Sequence, residues 1–155
     1  MNNTIKHKYI VLGAGPGALQ LGYYLQKSNA DTLISINKRF TGSQDPEFNM
    51  RHDWNSLLCD DESFRFKNYD KQFFPSADSL VTYMADYAER FDLNVKYNAA
   101  ISSIEKIGNT YHLTDQSGQD YECECLIIAT GVSKLNTPNI EGIEFSENYA
   151  DMSLD

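Results

Sequence analysis

The sequence predicts an α/β fold: a parallel sheet bearing helices, with an antiparallel β-meander inserted before the last parallel strand. Three observations predict it. The apolar run Tyr9 to Leu12 opens into the small-residue turn Gly13-Ala14-Gly15-Pro16-Gly17-Ala18. A second apolar strand, Leu126 to Ala129, also ends in small residues, reading LIIATG. Between them, two clusters of turn residues cut one stretch into three short strands.

The first element carries the most information. Tyr9, Ile10, Val11 and Leu12 have the composition of a buried strand. The turn fits G-x-G-x-x-A, with Gly13, Gly15 and Ala18 at the marked places. Gly13 permits a tight exit from the strand, Gly15 lets backbone approach a pyrophosphate, and Ala18 lets the next helix lie close on the sheet. That helix offers unpaired N–H groups and the positive end of its dipole to phosphates. Ala18, Leu21, Gly22 and Leu25 fall at i, i+3, i+4 and i+7, one helical face. The same turn serves binders of S-adenosylmethionine, but those want an acid just before the glycines, and Ile10, Val11 and Leu12 stand there.

Ser28 to Asp31 reads as a helix exit and Thr32 to Ile36, TLISI, as a strand. Residues 38–75 show no clean period and many aromatics, which predicts a packed insertion over the sheet. Ser76 or Asp78 caps a helix reaching about Phe91, whose apolar face is Leu80, Met84, Tyr87, Ala88 and Phe91. Leu93 to Tyr97 alternates as a short strand. Ala100 to Ile107, Thr110 to Leu113 and Gln119 to Cys125 form the meander, about residues 100–125, joined by Gly108-Asn109 and by Asp115 to Gly118. In an open parallel sheet, ligands sit at the carboxyl ends of the strands. Thr130 and Gly131 would therefore border the same crevice as Gly13.

Composition narrows the function. The 155 residues suffice for one domain with a proper core. A net charge of −9 argues against a nucleic-acid surface. No apolar run approaches a membrane span, and the first strand starts about eight residues in, leaving no room for a secretory signal. A cytoplasmic protein is expected, with neither nucleic acid nor membrane as partner, with an unidentified small molecule as substrate, and with homo-oligomerisation left open. The three cysteines, Cys59, Cys123 and Cys125, do not suggest a disulfide framework. Cys123 and Cys125 face one side of a strand, but only His112 could join them, so no metal site is expected. There is no C-x-x-C pair.

The order of strand, glycine turn, helix, strand, aromatic insertion, helix, meander and ATG resembles the FAD-binding part of two-dinucleotide-domain flavoproteins. These include the flavin-containing monooxygenases and the pyridine-nucleotide disulfide oxidoreductases. The stretches LISINKRFTG, FNMRHDWNSLL and FFPSADSLVTYMADYAERF are similar to those of the FAD-dependent oxidoreductase domain-containing proteins. The resemblance implies a Rossmann-like fold of the FAD/NAD(P)-binding type, a single incomplete FAD-binding domain over residues 1–155, and FAD as cofactor. It implies NADPH as hydride donor for the intact family. Gly13, Gly15, Pro16, Gly17 and Ala18 carry over as the pyrophosphate loop. Ile101 matches the position whose backbone meets the adenine, and Ala129, Thr130 and Gly131 match the ATG turn. Asn55 lies where related monooxygenases place an asparagine beside the flavin; a capping or turn role is its alternative.

Three departures accompany the resemblance. The acid that grips the ribose hydroxyls belongs about twenty residues past the fingerprint, and by counting that place falls to Asn37. By resemblance, LISINKR belongs after the ribose-binding strand, as if roughly twenty residues had been removed between Asp31 and Thr32. A second glycine fingerprint for NADPH is missing. The monooxygenase signature F-x-G-x-x-x-H is missing too. The NADPH domain is thus expected to be absent, and the chain alone is not expected to turn over NADPH. No catalytic acid, base or nucleophile is visible; His52 beside Asp53 reads as structural. The function implied is the FAD-binding module of an NAD(P)H-dependent flavin oxidoreductase or monooxygenase-like enzyme. The alternative is a noncatalytic or degenerate nucleotide-binding fragment.

Overall fold

Strand β1 (Ile5–Leu12) stands inside a six-stranded sheet of a computed structural model that describes residues 3–36, 56–73, 75–131 and 137–146. Asn37, Asn55, His52, Asp53 and half of the aromatic insertion lie outside the described residues. The other elements are α1 (Pro16–Lys27), β2 (Thr32–Ile36), the single turn α2 (Phe66–Tyr69), α3 (Ala77–Arg90), β3 (Val95–Tyr97), β4 (Ile101–Ile107), β5 (Thr110–Asp115) and β6 (Asp120–Ile128). The sheet order is β3-β2-β1-β6-β5-β4. The first four are parallel, and β5 and β4 join antiparallel. This is the α/β sheet with an inserted meander that the sequence predicts. The third meander strand and the ATG strand prove to be one continuous strand. β6 pairs antiparallel with β5 in its first half and parallel with β1 from Tyr121 to Ile128.

Local chemistry explains the helix limits. Gly15 is the extended N-cap of α1, with Pro16 in its first turn, where a missing N–H costs nothing. The helix ends at Ser28, and Asn29 follows with φ 56°, a left-handed stop that asparagine tolerates. On α3, Ser76 is the cap, its Oγ accepting from the Ser79 N–H at 3.2 Å.

The buried face of α1 is Ala18, Leu19, Gly22 and Tyr23. The expected Leu21 and Leu25 are only partly buried beside it. Two contacts rotate the helix. A Cβ on Gly22 would lie 2.5 Å from Ile34 Cδ1, so the helix rests on β2 at its glycine. The Tyr23 ring meets Phe91 and Tyr87 of the α3 end at 4.8 and 6.0 Å, adding aromatic contact that a leucine-centred face would lack.

The sheet separates two cores. Val11, Ile34 and Ile127 stand in register and pack toward α1 and α3. Ile10, Leu33 and Leu126 stand in the next register row and pack with Leu12, Leu113, Tyr121 and Cys123 on the other face. The link from β3 to β4 runs along β2: Ser35 Oγ donates to the Ala99 carbonyl at 2.9 Å, and the Ala99 N–H to Ile36 at 3.1 Å. Asp115 ties the meander turn. Its Oδ1 accepts from the N–H groups of Ser117 and Gln119 and from Ser117 Oγ, and its Oδ2 accepts from Tyr121 at 2.7 Å. Burial would raise this carboxyl, but the donors outweigh burial and hold it at about 2.

Candidate functional site: the crevice at the carboxyl ends of the parallel strands

Three strands end together. The Gly13 N–H donates to the Ser35 carbonyl at 2.8 Å, and the Ala129 N–H donates to the Leu12 carbonyl at 2.8 Å. The ladder thus runs unbroken to the tips of β2, β1 and β6. Gly13 has φ 105°, a conformation L side chains rarely adopt. A Cβ there would overlap the Ala129 carbonyl oxygen and lie 2.8 Å from its carbon and 3.1 Å from Thr130 N. The glycine turn and the ATG turn therefore meet backbone to backbone. Gly131 has φ 73° with open space around it, so its glycine answers to backbone conformation rather than crowding.

The opening of α1 faces this junction. Gly15 is extended, with φ −69° and ψ 176°, and no side chain caps the helix. The first turn holds no acid. Its unpaired N–H groups and positive dipole end are therefore uncompensated by protein among the described residues. Gly17 looks into open space, while Ala18 is 1% exposed and packs into the helix-side core. Each small residue has a separate reason: close approach at Gly13, an open side at Gly17, sheet contact at Ala18.

The structure thus brings Gly13, Gly15, Pro16, Gly17, Ala18, Ala129, Thr130 and Gly131 to one place. Ile101 sits at the start of β4, opposite Asp115 in register, and packs against the cluster containing Leu12, the last residue of β1. TLISI lies directly beside β1, from Tyr9↔Thr32 to Leu12↔Ser35. It is the parallel neighbour of β1 on that side, and its residues carry no acid. Asn37 comes next in the chain, outside the described residues. A cleft of about 290 Å³ lies alongside, lined by Ala14, Leu19, Ile36, Met84, Asp86 and Tyr97 among others. Hollows by Thr32 and Asp92, and by His7 and Glu122, lie at the amino ends of the strands, away from the crevice.

One set of positioning residues escaped sequence reasoning. The segment Leu57–Asp60 has no regular structure, yet its backbone is held by side chains of both helices. The Leu57 N–H donates to Tyr83 Oη at 3.1 Å, the Leu58 N–H to Gln20 Oε1 at 3.0 Å, and the Asp60 N–H to Tyr23 Oη at 3.1 Å. Tyr87 OH donates to the Leu58 carbonyl at 2.8 Å, and Tyr83 OH to the Phe64 carbonyl at 3.1 Å. Tyr83 and Tyr87 are fully buried, and burial pushes both phenols up, keeping their protons in place. Tyr83 was not on the expected apolar face of its helix. The available signal was the aperiodic run itself, whose backbone groups had to find partners somewhere.

Among the described residues no group of three or more His, Cys, Asp or Glu side chains could hold a metal ion. Cys123 is buried and Cys125 exposed. No helix among them is long and apolar enough to cross a membrane.

Comparison with known proteins agrees with this geometry. The chain is 39% identical to the mouse FAD-dependent oxidoreductase domain-containing protein 2, over 95% of this chain and 26% of the relative. It is 35% identical to the zebrafish (Danio rerio) protein of the same name, over 99% of this chain and 26% of that one. The chain therefore spans about a quarter of the length of these relatives. The mouse alignment runs over 175 positions, more than the 155 residues of the chain, so the relative carries residues that this chain lacks. Among solved structures, the flavin-containing monooxygenase from Stenotrophomonas maltophilia superposes with a TM-score of 0.70 at 19% identity, over 91% of this chain and 43% of that one. That likeness is one of fold. The family model described as pyridine nucleotide-disulphide oxidoreductase matches residues 10–153, and the chain belongs to that family.

Proposed function

We propose that this chain binds FAD and serves as the flavin-binding module of an NAD(P)H-dependent oxidoreductase of the monooxygenase-like kind. The observation that carries this is the backbone contact of Gly13 with Ala129 beside the uncapped start of α1. A diphosphate suits that place: small residues leave room for it, and free N–H groups and a helix dipole attract it. The flavin, once bound, supplies the redox chemistry, while the protein binds and orients it. Gly15 and Gly17 line the approach, Ala18 fixes the helix against the sheet, and Tyr23, Tyr83 and Tyr87 hold the segment Leu57–Asp60 against α1 and α3. The relatives' name, FAD-dependent oxidoreductase domain-containing protein, supports the choice of cofactor.

Thermal shift with FAD, FMN, NAD and S-adenosylmethionine tests the reading, because a ligand stabilises the fold that binds it. FAD is expected to give the largest shift; a larger shift with NAD or S-adenosylmethionine would defeat it. The second reading, a noncatalytic nucleotide-binding fragment, is favoured by one observation: TLISI fills the strand slot beside β1 without an acid. Colour separates the two: a purified flavin-binding module is yellow with flavin absorbance, and a fragment that holds no flavin is colourless. A cytoplasmic location accompanies the proposal, supported by three free cysteines and testable with a fluorescently tagged chain. The substrate is a small molecule, with no role for nucleic acid or membrane, consistent with the net charge of −9.

A further inference from the structure

The meander ends on an open strand. β4 is the outermost strand, and its far side pairs with nothing among the described residues. Such an edge is a row of unpaired N–H and C=O groups, a template for another strand, which proteins blunt with bulges, charges or prolines. β4 has one bulge, between Ile101 and Ser103; from Ser103 to Ile107 its pairing with β5 is regular. That run contains no proline. Ile104 stands opposite Leu113, which is buried in the second core. Ile104 therefore carries the core row out to the edge, where it stays 46% exposed, with Ile107 at 53%.

We propose that β4 pairs antiparallel with β4 of a second copy of this chain, with Ile104 on the two-fold axis. Charge decides the register. An axis perpendicular to the sheet keeps each residue on its own face, so the pairing is symmetric about one residue. Centred on Glu105, two carboxylates meet; centred on Lys106, two ammonium groups meet. Like charges directly opposite are destabilising. Centring on Ser103 or Ile107 runs half the seam into the bulge or into the Gly108 turn. Centred on Ile104, the two isoleucines cover each other, Ser103 of each copy stands opposite Glu105 of the other, and Lys106 falls opposite Ser102. The bulge makes the seam short, so association is weak and reversible. A charge of −9 on each copy opposes it, and salt screens that repulsion.

Sedimentation velocity of the full chain, over a concentration series at low and high salt, tests this. The expected result is a monomer–dimer equilibrium that shifts toward dimer as salt rises. Ile104→Lys should leave the chain monomeric with an unchanged melting temperature; Ile104→Thr, which keeps the β-branch, reads the same way if the lysine variant does not fold. In a Cys59→Ser, Cys125→Ser background, Ile104→Cys should cross-link to its own copy under mild oxidation, and Ile107→Cys much less. A monomer at every concentration and salt, a dimer that survives Ile104→Lys, or cross-linking through Ile107→Cys as efficient as through Ile104→Cys would each overturn the proposal.

Discussion

Gly13 and Ala129 are in backbone contact at the tips of neighbouring parallel strands, so close that no other residue fits at position 13. Its φ of 105° and the Ala129 carbonyl both exclude a Cβ. Gly13→Ala should therefore strain the backbone by about 1–3 kcal/mol and push the ATG turn away. The expected outcome is a melting temperature lower by roughly 3–10 °C together with lost FAD binding. Gly22→Ala is the comparison. The atom it meets is the end of the flexible Ile34 side chain, so it should leave FAD binding nearly intact. Differential scanning fluorimetry with and without FAD reads both. Equal behaviour of the two variants would show that the contact with Ala129 is not what shapes the site.

Much of this was legible in the sequence, for physical reasons. The glycine turn and the ATG turn were visible because each needs small residues at fixed places. The succession of elements along the chain followed from the apolar runs and turns; their order across the sheet did not. The contact between Gly13 and Ala129 was not legible, since register between strands distant in the chain is set by the whole sheet. Nor was the rotation of α1 onto Leu19 and Tyr23, because Gly22 and two aromatic rings outweigh leucine spacing there. The clamp of Tyr23, Tyr83 and Tyr87 on Leu57–Asp60 was hidden because a buried tyrosine reads as apolar, while its hydroxyl does the positioning.

Gly15 gives a different variant. Its φ of −69° is open to any residue, so Gly15→Val carries no strain from this backbone conformation. A side chain at the N-cap of α1 would stand between the helix N–H groups and a pyrophosphate. Gly15→Val should abolish FAD binding while circular dichroism and melting temperature change little. Retained affinity in the folded variant would show the turn to be merely structural.

Asp115 predicts the acid response of the fold. Its carboxyl is held at about 2, below the ordinary 3.8. A depressed carboxyl contributes stability that is fully present above its unfolded value and is lost as pH falls through the folded one. The contribution of Asp115 should thus fade between about pH 4 and pH 2. Asp115→Asn should cost about 1–3 kcal/mol at neutral pH and less at about pH 3, where the carboxylate advantage is already shrinking. Melting curves of both proteins across that window check it. A variant whose deficit grows on acidification would contradict the assignment.

The last prediction concerns the acid that would grip the ribose hydroxyls. TLISI fills the slot beside β1, and Asn37 is the next residue after Ile36. Losing a charged hydrogen-bond acceptor costs about 1.5–3 kcal/mol, roughly tenfold to a hundredfold in affinity. The unmodified chain should therefore bind FAD at micromolar strength or more weakly. Asparagine still donates and accepts hydrogen bonds, which leaves a weak site rather than none. Asn37→Glu restores the acid and should tighten FAD binding by about that factor, without changing the melting temperature of the apoprotein. Titration of flavin fluorescence against both proteins measures the ratio. No gain in a folded variant would favour loss of the ribose-binding strand between Asp31 and Thr32, with residue 37 lying elsewhere. Nanomolar binding by the unmodified chain would mean that another group already holds it.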